Sequence, residues 1–291
     1  METARRHFVR AAATALAASP WLASQAAAGA PPAAPAPAAS QPAAGGTDPA
    51  SHDMSAASAH WTGSEQIAML LYPGFTALDF VGPQYMLASL MGAKVHHVAA
   101  TLAPVTSDTG LSIVPTLTLA DCPRDLDILF VPGGGQGTLA AMRNPELLAF
   151  VADRGRRARW VSSVCTGSLI LAAAGLLRGY RATSHWIARD LLAYAGAVPV
   201  DARVVRDRNR ITGAGVSAGL DLGLTMVELL RDRLYAQTLQ LLAEYAPEPP
   251  LNAGTPRTAP PEAREMLVAM FEGFTAGSRE VLRQPPAPPG R

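Results

Sequence analysis

Residues 160–186, WVSSVCTGSLILAAAGLLRGYRATSHW, contain the most informative pattern of the chain. A β-prone run over residues 160–163 leads to Cys165, and Thr166 and Gly167 then separate the cysteine from a helical apolar run. This order predicts a nucleophile elbow, the tight strand-to-helix turn that presents one reactive side chain. Because the thiol would lie at the N-terminus of the following helix, the helix dipole and the free N–H groups predict a lowered pKa for Cys165.

The alternative for Cys165 is a buried small apolar residue, which is where free cysteines usually lie. Thr166 and Gly167 favour the elbow, since they suit a tight turn with exposed backbone donors better than a packed strand. The other cysteine, Cys122, precedes the strand predicted at 126–131, whereas Cys165 follows its own strand. In a parallel sheet the two would be roughly 15 Å apart, too far for a disulfide. We therefore expect two free thiols, with Cys122 structural.

The composition of the 291-residue chain changes along its length and indicates one globular domain between biased segments. A net charge of +1 gives no reason to expect nucleic acid or an acidic membrane surface as a partner. The middle of the chain is long enough to bury a sizeable core. The predicted organisation is a twin-arginine-type signal at 1–30, a disordered Ala/Pro-rich linker at 31–62, a globular domain at 63–282 and a Pro-rich tail at 283–291.

The N-terminal segment has the features of an export signal. Arg5 and Arg6 precede an apolar, alanine-rich stretch at 11–28. Pro20 interrupts this stretch, which favours a cleaved signal over a membrane-spanning helix. The sequence therefore predicts a periplasmic or otherwise exported protein without stable membrane insertion. The alternatives are an amphipathic or disordered tail and, if the signal is not functional, a cytoplasmic location.

Continuous apolar strands alternate with helices through the globular region, a pattern typical of sheets that are covered on both faces. We therefore predict an α/β fold with a mostly parallel sheet sandwiched by helices. Sites in such sheets form at the carboxyl ends of the strands, so the loops at 73–79, 132–137 and 165–167 should surround one cleft. Strands are predicted at 66–72, 94–100, 126–131 and 160–163, and helices at 83–91 (starting near Pro83), 136–142, 145–156, 184–194, 217–231 (with Ser217 as N-cap) and 234–245.

Two of these loops contain further candidate catalytic groups. Asp79 lies among apolar residues, where an ionised carboxylate is costly without a partner. It either caps the helix that starts near Pro83 or acts as a general acid or base whose pKa is raised by burial. The glycine run at 133–135 lacks the Lys-Ser/Thr pair of a phosphate cradle. It either supplies backbone N–H donors beside a reacting centre or forms a plain tight turn.

The histidines are weaker candidates for catalytic or metal-binding residues. His185 could orient the thiol in a Cys–His pair, but a structural histidine is the commoner case. His96 and His97 have no further ligands at metal spacing, so we expect no metal site.

Five motifs make the chain resemble the ThiJ/PfpI superfamily, which has the class-I glutamine-amidotransferase-like fold, and within it the isonitrile hydratase branch. The resemblance covers about residues 65–280. The elbow motif is specific to the superfamily, whereas the aspartate of the first loop and the Pro-rich segment after Tyr245 resemble the hydratase branch. The motifs are LDFVGP at 78–83, VPGGG at 131–135, VCTGS at 164–168, ATSHW at 182–186 and YAPEPPLNAG at 245–254.

The resemblance implies a flavodoxin-like catalytic domain and a homodimeric enzyme that hydrates a small molecule, an isonitrile, to an N-substituted formamide. Cys165 would attack the isonitrile carbon, and Asp79 would hold a water and relay protons. Thr166 would support the site beside the nucleophile. The backbone of Gly134 and Gly135 would help to position substrate or water. The reaction would need no cofactor.

The resemblance also defines the alternatives. Peptidases of the superfamily pair cysteine with histidine, and Thr166 after the cysteine disfavours that activity here. The deglycase-like branch usually has glutamate at the position of Asp79. A ligand- or redox-sensing protein, related to the sensor domain of AraC-type transcription regulators, remains the main alternative. The chain after the Pro-rich segment is too short for the two helix-turn-helix modules of such regulators and has no basic recognition helix.

Overall fold

The computed structural model describes residues 58–284. The predicted signal at 1–30, most of the linker at 31–62 and most of the tail at 283–291 lie outside the described residues.

A seven-stranded sheet organises the described residues and confirms the predicted α/β fold. Its strand order is β10-β11-β7-β6-β1-β2-β5, and every neighbouring pair is parallel except β10 with β11. Two small sheets, β3 with β4 and β8 with β9, stand beside it. The strands are β1 (Gln66–Leu70), β2 (Lys94–Ala99), β3 (Val105–Thr106), β4 (Ser112–Ile113), β5 (Leu117–Thr118), β6 (Ile128–Val131), β7 (Trp160–Val164), β8 (Arg181–Ala182), β9 (Val198–Pro199), β10 (Val204–Asp207) and β11 (Arg210–Gly213).

The helices pack in two groups. The first group contains α1, α5 and α6, and the second contains α2, α3, α4 and α8. Two 3₁₀ helices, Ala59–Trp61 and Arg189–Ala195, complete the elements found between residues 58 and 284. The predicted helix at 184–194 is therefore a later and tighter turn. The helices are α1 (Ala77–Ala88), α2 (Gly135–Met142), α3 (Pro145–Arg157), α4 (Gly167–Ala173), α5 (Ala218–Leu230), α6 (Arg233–Leu242), α7 (Pro261–Met270) and α8 (Glu272–Arg283).

The central strands are apolar throughout because both of their faces are covered. All four residues of β6 are buried, as are the last four of β1. The two cysteines are free and buried, which confirms the prediction of two free thiols. Cys122 lies beside α3, where Arg154 donates to its carbonyl oxygen over 2.9 Å.

The start of α1 differs from the prediction. The helix begins at Ala77, and Pro83 lies inside it. Pro83 has no N–H for the carbonyl oxygen of Asp79 one turn earlier, yet its ring fits against α5. A Cβ on Gly219 of α5 would lie 2.9 Å from the ring of Pro83. A glycine on the neighbouring helix thus makes room for an internal proline, which the local sequence signal for a helix start does not register.

The predicted N-cap position of α5 is confirmed, although the serine there does not cap the helix with its side chain. Ser217 does precede the helix, but its side chain makes no capping hydrogen bond. Its hydroxyl instead accepts a hydrogen bond from Arg203 over 3.3 Å.

Candidate active site

Cys165 follows β7 in a strained turn that has the geometry of a nucleophile elbow. Its φ of 57° is in the left-handed region, which is uncommon for a side chain other than glycine. The Cys165 N–H donates to the carbonyl oxygens of Gly213 (3.1 Å) and Ala214 (2.8 Å). Its own carbonyl oxygen accepts from the hydroxyls of Ser168 (3.1 Å) and Ser184 (2.9 Å). These bonds hold a conformation that costs about 1–3 kcal/mol when unsupported.

Asp79 lies in the first turn of α1 and is fully buried. Its Oδ2 accepts the backbone N–H of Gly133 over 2.9 Å, whereas Oδ1 has no hydrogen-bond partner among the described residues. The carboxyl group bonds to another loop and lies within a helix that begins earlier than expected, so the alternative in which Asp79 caps a helix starting near Pro83 is wrong. The group also interacts with the thiol of Cys165.

Burial sets the protonation of Asp79. It raises the pKa of this carboxyl group from its usual 3.8 to about 7. The Gly133 N–H and the contact with Cys165 lower the pKa, but by less. The raised pKa that the sequence suggested for a general acid or base is therefore confirmed, and at neutral pH the group can both give and take a proton.

The predicted lowering of the Cys165 pKa is wrong. Burial raises the pKa of the thiol well above its usual range, and the charge of an ionised Asp79 raises it further. The backbone N–H groups of Thr166 and Val216 act in the opposite direction and are outweighed. The helix behind the cysteine, α4, has only seven residues, and the thiol is 6% exposed. The resting thiol is therefore neutral, and a nucleophilic thiolate requires transfer of its proton to a neighbouring base.

The raised pKa of Asp79 predicts a pH dependence of stability. The unfolded chain releases this proton near pH 3.8 and the folded protein near pH 7, so the folded state binds more protons between these values. Stability is therefore lost as the pH rises from about 4 to 7. Three pKa units correspond to roughly 4 kcal/mol.

The matched variant for this effect is Asp79→Asn, which does not titrate. Urea unfolding of both proteins from pH 4 to pH 8 should give a wild-type curve that falls relative to the variant by that amount. Parallel curves would contradict the assigned protonation of Asp79.

A chain of buried hydroxyl groups fixes Thr166. Its Oγ1 accepts the N–H of Gly134 (3.1 Å) and lies 2.8 Å from the hydroxyl of Thr138. The hydroxyl of Tyr72 lies 3.1 Å from Thr138 and donates to the carbonyl oxygen of Pro132 over 2.7 Å. Tyr72 and Thr138 were not among the sequence candidates. The only sequence feature that could have pointed to them is their location: Tyr72 follows β1, and Thr138 lies in the first turn after the glycine run.

The glycine run at 133–135 lies directly against the two candidate catalytic groups. A Cβ on Gly133 would lie 2.6 Å from the Thr166 nitrogen and 2.8 Å from Oδ2 of Asp79, so no larger residue fits. The donor to Asp79 is Gly133, the first glycine of the run that the sequence predicted to supply backbone N–H donors, whereas the resemblance pointed only to Gly134 and Gly135. The N–H of Gly134 is used by Thr166, and Gly135 begins α2 with a φ of 43°.

His185 is not hydrogen-bonded to Cys165 anywhere in residues 58–284. Its Nδ1 accepts the N–H of Ile187 over 3.4 Å, and burial lowers its pKa to about 4. The ring is therefore neutral at pH 7, and it packs beside Trp186 and Phe271. Within the described part of the chain, no group of three or more His, Cys, Asp or Glu side chains could hold a metal ion.

A parallel α/β sheet that presents a buried cysteine on a strand-to-helix turn, beside a carboxyl group and a glycine loop, defines a class of proteins. The chain belongs to the DJ-1/PfpI family, which matches residues 65–229.

Two individual relatives are similar to this chain over most of its length. The chain is similar to the isonitrile hydratase of Pseudomonas putida, with 52% identity over 196 residues that cover 67% of this chain and 85% of that enzyme. Among solved structures it resembles a ThiJ/PfpI family protein from Pseudomonas syringae, with a TM-score of 0.76, 56% identity and coverage of 84% and 98% of the two chains.

A more distant relative has a different role. A helix-turn-helix transcriptional regulator from Pseudomonas aeruginosa is 32% identical over 171 residues, which cover 56% of this chain and 50% of the regulator. Family membership by itself therefore does not decide between catalysis and regulation.

Proposed function

We propose that the protein is a cysteine-dependent hydratase that converts an isonitrile to an N-substituted formamide. The observation that carries the proposal is the contact between the neutral thiol of Cys165 and the buried carboxyl group of Asp79. A thiol that is neutral at rest needs an adjacent base, and Asp79 can accept its proton near neutral pH. The 52% identity with an isonitrile hydratase supports the choice of substrate.

The first step forms a covalent intermediate. The carboxylate of Asp79 takes the thiol proton while the sulfur of Cys165 attacks the terminal carbon of R–N≡C. The same proton then passes from Asp79 to that carbon. The product is a thioimidate, R–N=CH–S–Cys165, which contains every atom of the isonitrile and the thiol. Because one proton moves through one carboxyl group, no other acid is needed.

The second step adds water. Asp79, ionised again, removes a proton from a water molecule that attacks the thioimidate carbon, and it passes this proton to the nitrogen. Oδ1 of Asp79 is suited to this water because it has no protein partner within residues 58–284. The carbon–sulfur bond then breaks while Asp79 transfers the proton of the new hydroxyl group to the sulfur, which releases R–NH–CHO and restores the thiol of Cys165. No cofactor takes part.

Supporting roles follow from the hydrogen bonds around the thiol. Thr166, held by Thr138 and by the Gly134 N–H, fixes the backbone next to the nucleophile. In this proposal the backbone at Gly134 and Gly135 forms the wall against which substrate or water is positioned. A direct hydrogen bond from the Gly134 N–H to substrate would require that it exchange its present acceptor, Thr166.

The test of the function uses residues 58–291 with a simple isonitrile in water enriched in ¹⁸O. We expect the corresponding formamide, with ¹⁸O in its carbonyl group, because the oxygen comes from solvent. Mass spectrometry of the product follows both identity and label. Absence of formamide from a folded protein whose Cys165 still reacts with an alkylating agent would refute the hydratase assignment.

The second candidate is a ligand- or redox-sensing protein, which the similarity to a transcriptional regulator supports. Redox-sensing cysteines are low-pKa, accessible thiols, whereas Cys165 is 6% exposed and its pKa is raised. The burial therefore disfavours the redox version and leaves ligand sensing. A ligand sensor would bind its ligand at Cys165 without formamide production in the same experiment.

We further propose that the protein is a homodimer. Leu78, Val81 and Tyr85 lie on one face of α1 and are 46%, 41% and 40% exposed. Three large apolar side chains at this spacing form a patch that a second copy of the chain would cover. Light scattering should give a dimer for the wild type and a monomer for Val81→Arg; a monomeric wild type would contradict the proposal.

Export remains a proposal that rests on Arg5 and Arg6. No helix within residues 58–284 is long and apolar enough to cross a membrane. Replacement of both arginines by lysine should leave the protein in the cytoplasm, whereas the unchanged chain should reach the periplasm. Equal fractionation of the two proteins would contradict export through this signal.

A further inference from the structure

Three aromatic side chains, His185, Trp186 and Phe271, form a continuous cluster that we call the aromatic rim. The ring centroids of His185 and Trp186 are 5.7 Å apart, and those of His185 and Phe271 are 6.3 Å apart. The planes within each pair are inclined by only 36° and 32°. All three side chains are partly exposed, whereas Cys165 and Asp79 are buried.

The rim lies against two loops that surround the sulfur of Cys165. A Cβ on Gly215 would lie 3.0 Å from Cδ2 of His185, and the next residue, Val216, directs its N–H at that sulfur. On the other side, a Cβ on Gly135 would lie 3.8 Å from the ring of Phe271. The partly exposed rim therefore borders the loops on two sides of the buried thiol.

Phe271 is held in place by a helix that lies outside the segment matching the family. The family match ends at residue 229, and Phe271 lies at the junction of α7 and α8. Phe274, Ser278 and Leu282 form the buried face of α8, which packs on α2, α4 and the nearby 3₁₀ helix. The rings of Phe271 and Phe274 meet edge to face with centroids 6.0 Å apart. A C-terminal helix thus holds one aromatic ring beside the glycine run of the site.

The linear shape of an isonitrile determines where its substituent lies relative to the aromatic rim. The group R–N≡C is linear, so the substituent points directly away from the carbon that the sulfur attacks. Asp79, Gly133 and Thr166 close the inner side of the site. The substituent must therefore extend towards the rim.

We propose that the aromatic rim selects isonitriles whose substituent is a planar aromatic ring, which would pack against the partly exposed rings of His185 and Phe271. This specificity rests on the proposed hydratase function. Aromatic rings attract each other at centroid distances of about 4.5–7 Å, the range in which the rim residues already lie. The neutral state of His185 at pH 7 removes a charge that would otherwise stay hydrated.

The experiment compares phenyl isonitrile with methyl isonitrile for the wild type and for Phe271→Ala. We expect the variant to lower kcat/KM for the phenyl substrate about tenfold, mainly through KM, and to change the methyl substrate less than about twofold. Phe271→Leu, which keeps apolar bulk without a π face, should give an intermediate value. Val268→Ala on α7 is the matched control, since this exposed side chain is outside the rim.

A second readout does not depend on turnover. Alkylation of Cys165 by N-benzyliodoacetamide and by N-methyliodoacetamide, followed by mass spectrometry, should show a preference for the benzyl reagent that Phe271→Ala removes. Equal loss with both reagents or both isonitriles would overturn the rim proposal. If the wild type hydrates neither isonitrile, the hydratase function fails while the alkylation ratio still decides on the rim.

Discussion

Replacement of Cys165 by alanine is expected to abolish formamide production, with a loss on the order of 10⁴-fold or more in kcat/KM. The reason is that the carbon–sulfur bond of the proposed intermediate cannot form without the thiol. The change removes one buried atom, and alanine meets the same left-handed backbone conformation as cysteine at φ 57°. We therefore expect the fold to persist, with a melting temperature close to that of the wild type.

The control for this variant is Cys122→Ala, which removes the other thiol. Cys122 is buried beside Arg154, distant from the elbow in the fold, so its loss should leave kcat nearly unchanged. Cys165→Ser keeps the size of the side chain and should be as inactive as the alanine variant. Substantial turnover by folded Cys165→Ala would exclude the nucleophile role and leave Asp79 to activate water directly.

Sequence patterns were sufficient to predict the strands of the central sheet. The apolar runs at 66–72 and 126–131 predict strands because a parallel strand that is buried on both faces must be apolar at every position. The strands end two residues or fewer from the predicted limits at their carboxyl ends, where the loops converge. The elbow was predictable for the same reason, since a strand, a cysteine, small turn residues and a helical run follow one another directly.

The start of α1 was not predictable from its own residues. Pro83 is a helix-start signal by local rules, but it is tolerated inside α1 because Gly219 of α5 faces it. That glycine is more than a hundred residues away in sequence. The error also affected Asp79, because a carboxyl group expected near the helix start lies instead inside the first turn and bonds to Gly133.

The pKa of Cys165 was harder to predict from the sequence than the position of the elbow. The dipole argument for Cys165 holds for a thiol that remains hydrated, but this thiol is 6% exposed and faces a carboxyl group. The degree of burial depends on how several loops close around one atom, which no local pattern records. The hydroxyl network of Tyr72 and Thr138 was missed for the same reason, since its members come from segments that are distant in sequence.

Asp79→Asn is expected to lower kcat/KM by about 10²- to 10⁴-fold, the usual contribution of a general acid or base. Asparagine keeps the oxygen that accepts the Gly133 N–H, so the loop contact survives, but it cannot take the thiol proton. In the wild type, kcat/KM should rise with pH through about 7, as Asp79 ionises and becomes able to accept that proton. The variant should lack this rise.

The variant should also change the thiol itself. An ionised Asp79 raises the pKa of Cys165, so its removal should shift the pH midpoint of Cys165 alkylation to lower pH. The thiolate would then form more readily while turnover falls, which separates a proton relay from simple activation of the nucleophile. Asp108→Asn is the matched control: this aspartate also raises the pKa of Asp79 but bonds to Thr76, so kcat should change little. If Asp79→Asn instead retains wild-type turnover at pH 7, the carboxyl group is structural and the proton must reach the isonitrile carbon from solvent.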